Sequence, residues 1–229
     1  MSFLNIFQSN SFKGNLFNNC TAETNGEKYF FQTIAPHVNV IFDVGCRSET
    51  LYKDYPKEVH YFDPVPEYID SLKKQKIVNT RSVFNKFGLS DSTTTLTYYP
   101  KYEAFYNRVA SCHVDDAKNS KTLNVRRASE YISEHNIEKI DFLKIDTEGH
   151  ELSVLKGFGE HIKNVAIIQF EYGGTFIDTG ITLLEIVDYL KSHGFKHFAY
   201  LSPTQAVFLE DYKDHYQYCN IVCVNSKFY

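Results

Sequence analysis

The stretch IDFLKIDTEGHELSVLKG, residues 140–157, decides how this chain folds. Its first six residues are apolar apart from Asp141 and Lys144, the pattern of a short strand buried on both faces. That strand ends at Asp146. Apolar residues resume at Leu152 and Leu155, and Lys156-Gly157 supplies a helix stop. Between strand and helix, one turn holds Asp146, Glu148 and His150, and Gly149 permits a sharp reversal.

The same alternation extends outward in both directions. Upstream, residues 38–44 form an apolar run stopped by Gly45, and residues 59–62 form another, stopped by Asp63-Pro64. The helix after it carries Val65, Tyr68, Ile69 and Leu72 at helical spacing. Residues 82–89 and 94–99 read as strands, residues 100–122 as an elaborated loop, and residues 129–135 as a short helix. Downstream, residues 165–170 read as a buried strand. A helix capped at Thr182 follows, with Leu183, Leu184, Ile186, Val187 and Leu190 on its apolar side. Residues 195–201 and 218–224 are the last two strands, joined by a long hairpin connection. At the other end, residues 1–36 form a lead-in whose helix is expected to open with a capping box at Thr24-Asn-Gly-Glu27 and to end at Pro36.

Strands alternating with helices predict an α/β fold with a mostly parallel central sheet covered on both faces. Absence of a repeat or linker makes residues 1–229 one unit, with its core over residues 38–229. The net charge of −4 gives no global reason to expect nucleic acid. No run is apolar over the length of a membrane span, and no signal-peptide core precedes the first helix. Five scattered cysteines suit a reducing compartment, so the expected location is cytoplasmic. Cys219 and Cys223 share a strand face with Ile221 and read as buried thiols.

Ligands of such sheets bind beyond the carboxyl ends of the strands. Here those ends are Asp43-Val44-Gly45, Asp63-Pro64, Leu89-Ser90-Asp91, Asp146-Thr147-Glu148 and Glu171-Tyr172-Gly173-Gly174. Gly45 allows the close backbone approach that a nucleoside needs. Asp63 can accept two hydrogen bonds from ribose hydroxyls. Asp146, Glu148 and His150 can bind polar groups or remove a proton. Capping would explain one of these acids, not the cluster. The loop over residues 100–122 carries Tyr102, Phe105, Tyr106, Arg108 and His113, a mix of rings and donors suited to sugars.

Four ordered motifs give the chain a specific resemblance. Residues 141–157 resemble the DFLKIDVEGHE and VLKG signature of FkbM-type methyltransferases, with Thr147 at the variable place. Asp43-Val44-Gly45, Phe62-Asp63-Pro64 and Leu89-Ser90-Asp91 follow that family's order and approximate spacing, over about residues 38–225. The resemblance implies a Rossmann-like class I methyltransferase with an antiparallel C-terminal strand, using S-adenosyl-L-methionine and yielding S-adenosyl-L-homocysteine. It further implies that Asp43, Val44, Gly45 and Cys46 hold the methionine moiety, and that Asp63 and Pro64 meet the ribose. Gly88, Leu89 and Ser90 would border the adenine. Asp146 would sit beside the methyl donor, with Glu148 and His150 facing the acceptor.

On this reading Asp146, His150 and Glu148 are the catalytic residues, with His150 or Asp146 as the base. Glu171, Tyr106 and Arg108 join Glu148 and His150 on the substrate. The expected reaction is O-methylation of a sugar or glycan hydroxyl, the partner being a small-molecule or glycan acceptor. A Mg²⁺ or Mn²⁺ ion on these acids is the less favoured alternative, and no residue is assigned as a metal ligand. After Gly45 the family continues with Ala-Asn and a second glycine, whereas this chain has Cys46-Arg47-Ser48-Glu49-Thr50. That departure narrows the backbone freedom of the cofactor loop and puts a cation beside it. Its corollary is the second reading, a retired methyltransferase that binds a glycan or a protein. A nicotinamide-dependent oxidoreductase is disfavoured, because neither Gly-x-Gly-x-x-Gly after the first strand nor Tyr-x-x-x-Lys occurs.

Overall fold

A computed structural model describes residues 7–8, 17–75, 81–106, 118–209 and 211–229. The first elements are β1 (Phe7–Gln8), α1 (Glu27–Ile34), β2 (Val40–Val44), β3 (Glu58–Phe62) and α2 (Pro66–Lys74). β4 (Ser82–Asn85), β5 (Gly88–Ser90), β6 (Thr94–Tyr98) and β7 (Lys121–Arg127) follow, then α3 (Ala128–Glu134). The signature stretch forms β8 (Ile140–Ile145) and α4 (Glu151–Gly157). The chain continues through β9 (Val165–Tyr172), α5 (Thr175–Thr179) and α6 (Leu183–Ser192). It ends with β10 (Phe195–Ser202), β11 (Gln205–Phe208) and β12 (Cys219–Asn225).

The large sheet runs β1-β11-β10-β12-β9-β8-β2-β3-β4. β4, β3, β2, β8 and β9 are mutually parallel, while β12 lies antiparallel between β9 and β10. The chain therefore has the expected α/β architecture, a mostly parallel sheet with an antiparallel strand near its C-terminus. Because β2 and β8 are central neighbours, their carboxyl ends open side by side, and that edge is where a ligand belongs. Each face of the sheet carries its own apolar layer. Tyr131, Leu155, Phe158 and Ile186 pack on one side, and Phe30, Tyr52, Ile69 and Leu72 on the other. Phe142 lies beneath the second layer, its ring 6.0 Å from Phe30 and 6.3 Å from Tyr52. Such buried side chains each contribute about 1.5–3 kcal/mol.

Four local expectations are corrected. The capping box at Thr24 does not form: helix α1 starts from Gly26 in a left-handed conformation, with no side-chain cap. Glu27 is instead drawn inward, where Asn25 and Gln169 donate to its carboxylate at 2.8 and 2.9 Å. Residues 82–89 do not form one strand, because β4 joins the large sheet and β5 a separate sheet of order β5-β7-β6. The loop expected over residues 100–122 ends at β7, a strand with polar residues on both faces and no clean alternation. The connection between β10 and β12 contains β11, which pairs antiparallel with β10. The capping box at Thr182 does form, closed reciprocally with Glu185. No helix among the described residues is long and apolar enough to cross a membrane.

Candidate active site

Two clefts open along the carboxyl edge of the sheet, and the residues between them belong to both. The first lies over the ends of β2, β3 and β5. Gly45 turns the chain with φ of 79°, and a Cβ there would run into the Asp146 carbonyl oxygen. Glycine therefore lets the ends of β2 and β8 close. The turn is tied to β3 by Gly45 and Cys46 N–H groups, both donating to the Phe62 carbonyl at 2.9 and 3.3 Å. Asp63, 3% exposed, accepts from the Arg47 N–H on one carboxylate oxygen and from the Val65 N–H on the other, each at 2.9 Å. Burial raises its pKa to about 6, against the pull of those two donors. A carboxylate has about four acceptor sites, so Asp63 retains capacity for hydroxyl donors.

Opposite Asp63, the crevice wall is formed by Tyr68, Gly88, Leu89, Tyr98, Phe105 and His150, around about 570 Å³ of space partly open to solvent. Tyr68 donates to Glu103 at 2.8 Å, and Glu103 also pairs with Arg47. His150 is buried, with Nε2 3.0 Å from Ser90 Oγ and Nδ1 3.2 Å from the Tyr106 hydroxyl. Burial lowers its pKa to about 4. The imidazole is thus neutral at pH 7, with both nitrogens already partnered.

A polar strip runs across the neighbouring strands from this crevice. Register places Asp43 opposite Lys144, and Lys144 opposite Gln169, so these side chains share one face under α1. The Lys144 ammonium stands 3.1 Å from Asp146 and 3.9 Å from Glu27. Burial opposes its charge, but Asp146, Glu27 and Asp43 more than offset this and raise its pKa. Thr50 donates to one oxygen of Asp43 at 3.2 Å, and the other, Oδ1, is buried without a partner. Burial raises the Asp43 pKa to about 6. An orphaned carboxylate oxygen is costly and fits a cationic donor. Asp43, Lys144, Glu27 and Thr50 line a further recess with Cys20 and Glu49.

The second cleft is wider, about 1430 Å³ including open solvent, and strongly acidic. Glu27, Asp146, Glu148, Glu171 and Asp178 line it with Gly173, Gly174 and Tyr218. Glu148 (φ 52°) and Gly149 (φ 97°) are both left-handed, so the chain reverses sharply before α4. After that reversal Glu148 lines both clefts, while His150 lines the first. Burial, then the charges of Asp146 and Glu148, hold the Glu171 carboxyl well above the usual range. Behind the turn, Glu151 accepts from the Thr147 N–H and hydroxyl at 2.8 and 2.9 Å.

The structure gathers most of the residues singled out in the sequence. Val44, Gly45, Asp63, Pro64, Gly88, Leu89, Asp146, Glu148 and His150 line the first cleft, and Asp146, Glu148 and Glu171 the second. His150 and Glu148 both line the first cleft, and Glu148 alone of the two also lines the second. Ser90 and Tyr106 meet the first cleft only through His150, and the Cys46 thiol is packed in the core. Arg108 and His113 lie outside the described residues. Sequence reasoning missed Lys144, Glu27, Tyr68, Tyr98 and Glu103. Lys144 had a readable signal, a lysine inside a doubly buried strand, which has to find carboxylates.

The pattern described as the methyltransferase FkbM domain matches residues 25–197. Hexuronic acid methyltransferase AglP of Haloferax volcanii is 26% identical over 136 residues, covering 58% of this chain and 55% of that protein. Methyltransferase 1 of Beauveria bassiana is 26% identical over 168 residues, covering 62% of this chain and 67% of that protein. The chain thus matches about half to two thirds of the length of these relatives. Among solved structures, a TehB-like SAM-dependent methyltransferase from Corynebacterium glutamicum has 12% identity and a TM-score of 0.49, covering 91% of this chain and 90% of that one.

Proposed function

The chain belongs to the FkbM methyltransferase family, and we propose that it is an S-adenosyl-L-methionine-dependent O-methyltransferase acting on a hydroxyl of a sugar or glycan. The observation that carries this reading is the shared edge. Arg47, Asp146 and Glu148 are the residues common to the narrow crevice and the acidic cleft. A donor lying in one and an acceptor lying in the other would meet there. The residues fit the donor: Asp43 Oδ1 is buried without a partner and suits the α-ammonium, while Lys144 suits the α-carboxylate. Asp63 would hold the ribose hydroxyls, and Leu89 and Phe105 would border the base. His150, neutral and fixed by Ser90 and Tyr106, would shape the base pocket rather than remove a proton.

In the transfer the methyl–sulfur bond breaks as a methyl–oxygen bond forms, sulfur keeps the electron pair, and the hydroxyl proton passes to a carboxylate of the shared edge. Positioning the two reactants contributes at most about 7–11 kcal/mol, and a base roughly 10²–10⁴-fold. Asp146 and Glu148 are within reach of both clefts, which suits proton acceptance. Glu171 would orient the acceptor. Carboxylates accept hydrogen bonds from sugar hydroxyls, so the acidic cleft suits a polyol. AglP's substrate class, hexuronic acid, lends support to a sugar acceptor.

Incubating the full chain with methyl-labelled donor and a panel of neutral and acidic mono- and oligosaccharides tests the proposal. Label transferred to a sugar, and lost in Asp146→Asn, is the expected result. Failure to bind the donor at all would instead favour the retired, binding-only reading.

A further inference from the structure

The acidic cleft gathers three carboxylates at one point. One carboxylate oxygen from each of Asp146, Glu148 and Glu171 lies within 4.8 Å of the others. Asp146 and Glu148 come from the turn after β8, and Glu171 from β9, so the cluster is built by two adjacent strand ends. Half-buried as a whole residue, Glu171 has its carboxylate buried, and that carboxylate accepts no hydrogen bond among the described residues. It is aimed into the cleft, which it lines. Behind the cluster, Glu151 Oε2 is also buried without a partner. Lys144 reaches the Asp146 carboxylate, and Arg47 is engaged with Glu103.

We propose that Asp146, Glu148 and Glu171 form a binding site for a divalent cation of the Mg²⁺ or Mn²⁺ type, with its remaining positions turned toward the acceptor. All three ligands are hard oxygen donors, which suit these ions over Zn²⁺. Oxygens around a Mg²⁺ ion stand about 3 Å apart when adjacent and about 4.2 Å when opposite. The observed spacing therefore needs only a small inward closure. Three carboxylates give incomplete coordination, leaving room for water or for hydroxyls of a sugar. A hydroxyl bound to such an ion is more acidic than a free one. The same ion would let a cleft lined by carboxylates accept an acidic sugar, whose own carboxylate would otherwise be repelled. What the ion does rests on the methyltransferase reading; that it binds does not.

Titrating Mn²⁺ into the full chain, without donor or acceptor, and following the free-ion signal by electron paramagnetic resonance tests the site. One Mn²⁺ should bind per chain and be displaced by excess Mg²⁺. Affinity should fall at least about tenfold in Glu171→Gln and Glu148→Gln, and stay unchanged in Asp70→Asn, which alters an exposed acid paired with Lys86. Should Glu171→Gln fail to fold by circular dichroism, the half-exposed Glu148 carries the same readout. Mn²⁺ remaining free up to millimolar concentration, or binding both cleft variants as tightly as wild type, overturns the site. Methyl transfer that proceeds undiminished in metal-free protein overturns the cation's role while leaving the transferase. Bound Mn²⁺ with no donor binding supports the cation and overturns the transferase.

Discussion

The two clefts are built from the same strand ends yet differ in nearly every physical respect. The crevice over β2, β3 and β5 is narrow and walled by Leu89, Tyr98 and Phe105, and its one buried acid, Asp63, is already tied to two backbone N–H groups. The cleft over β8 and β9 is wide, carries five carboxylates, and leaves Glu171 without a hydrogen-bond partner among the described residues. A preformed slot with apolar walls and a few oriented polar groups suits a nucleoside. An open acidic basin suits a hydroxylated acceptor. Labour would thus be divided along one sheet edge, with the nucleoside on one side and the acceptor on the other.

The largest effect is expected where the clefts meet. Asp146→Asn should lower methyl transfer by about 10²–10⁴-fold while leaving binding of S-adenosylhomocysteine within a few-fold, measured by calorimetry. A matching loss of both would mean that Asp146 serves the narrow crevice alone. Next comes Gly45→Ala, whose added Cβ would meet the Asp146 carbonyl in a left-handed turn. It should destabilise the fold by about 2–4 kcal/mol, seen as a lowered denaturation midpoint, and should abolish nucleoside binding. An unaltered midpoint would show that the turn relaxes.

A pH effect separates the clefts less drastically. Asp43 and Asp63 have folded pKa values raised to about 6, above their unfolded values. Their contribution to stability is therefore present at low pH and is lost as pH rises through about 6. Ligand binding has the opposite sign, since ammonium and ribose hydroxyls need the ionised acids. Affinity for S-adenosylhomocysteine should fall about thirtyfold on lowering pH from 6 to 5, since each acid goes from half to about one-eleventh ionised. Asp43→Asn should flatten that slope. Affinity that rises on acidification would contradict the roles given to these acids.

The smallest effect concerns His150. Its substitution by Gln should weaken nucleoside binding by only about three- to tenfold, the worth of one or two hydrogen bonds, and leave turnover at saturating donor close to wild type. Turnover reduced by about a hundredfold or more, the scale of a lost general base, would return His150 to the acceptor side.

How far these clefts were legible in the sequence depends on where local patterns stop carrying information. Strands β2, β3, β8 and β9 were readable because doubly buried strands are continuous apolar runs, and the acids at their ends come with them. β7 was not, since Lys121, Thr122, Asn124 and Arg127 put polar groups on both faces of a small outer sheet. β5 has three residues, too few for a period. At the signature turn, sequence proximity suggested that Glu148 and His150 act together. Two consecutive left-handed residues, Glu148 and Gly149, leave Glu148 on both clefts and His150 on the narrow one only, and no spacing rule encodes that rotation. The Thr24 capping box failed because Glu27 is held by Asn25 and Gln169, a contact across 142 positions that short-range patterns do not see.

The division of labour can be tested directly by a crystal structure of the full chain with S-adenosylhomocysteine. The account predicts the base between Leu89 and Phe105, ribose hydroxyls on Asp63, the amino-acid end at Asp43 and Lys144, and sulfur at Asp146. A nucleoside lodged among Glu148, Glu171 and Gly174, with the narrow crevice vacant, would contradict it.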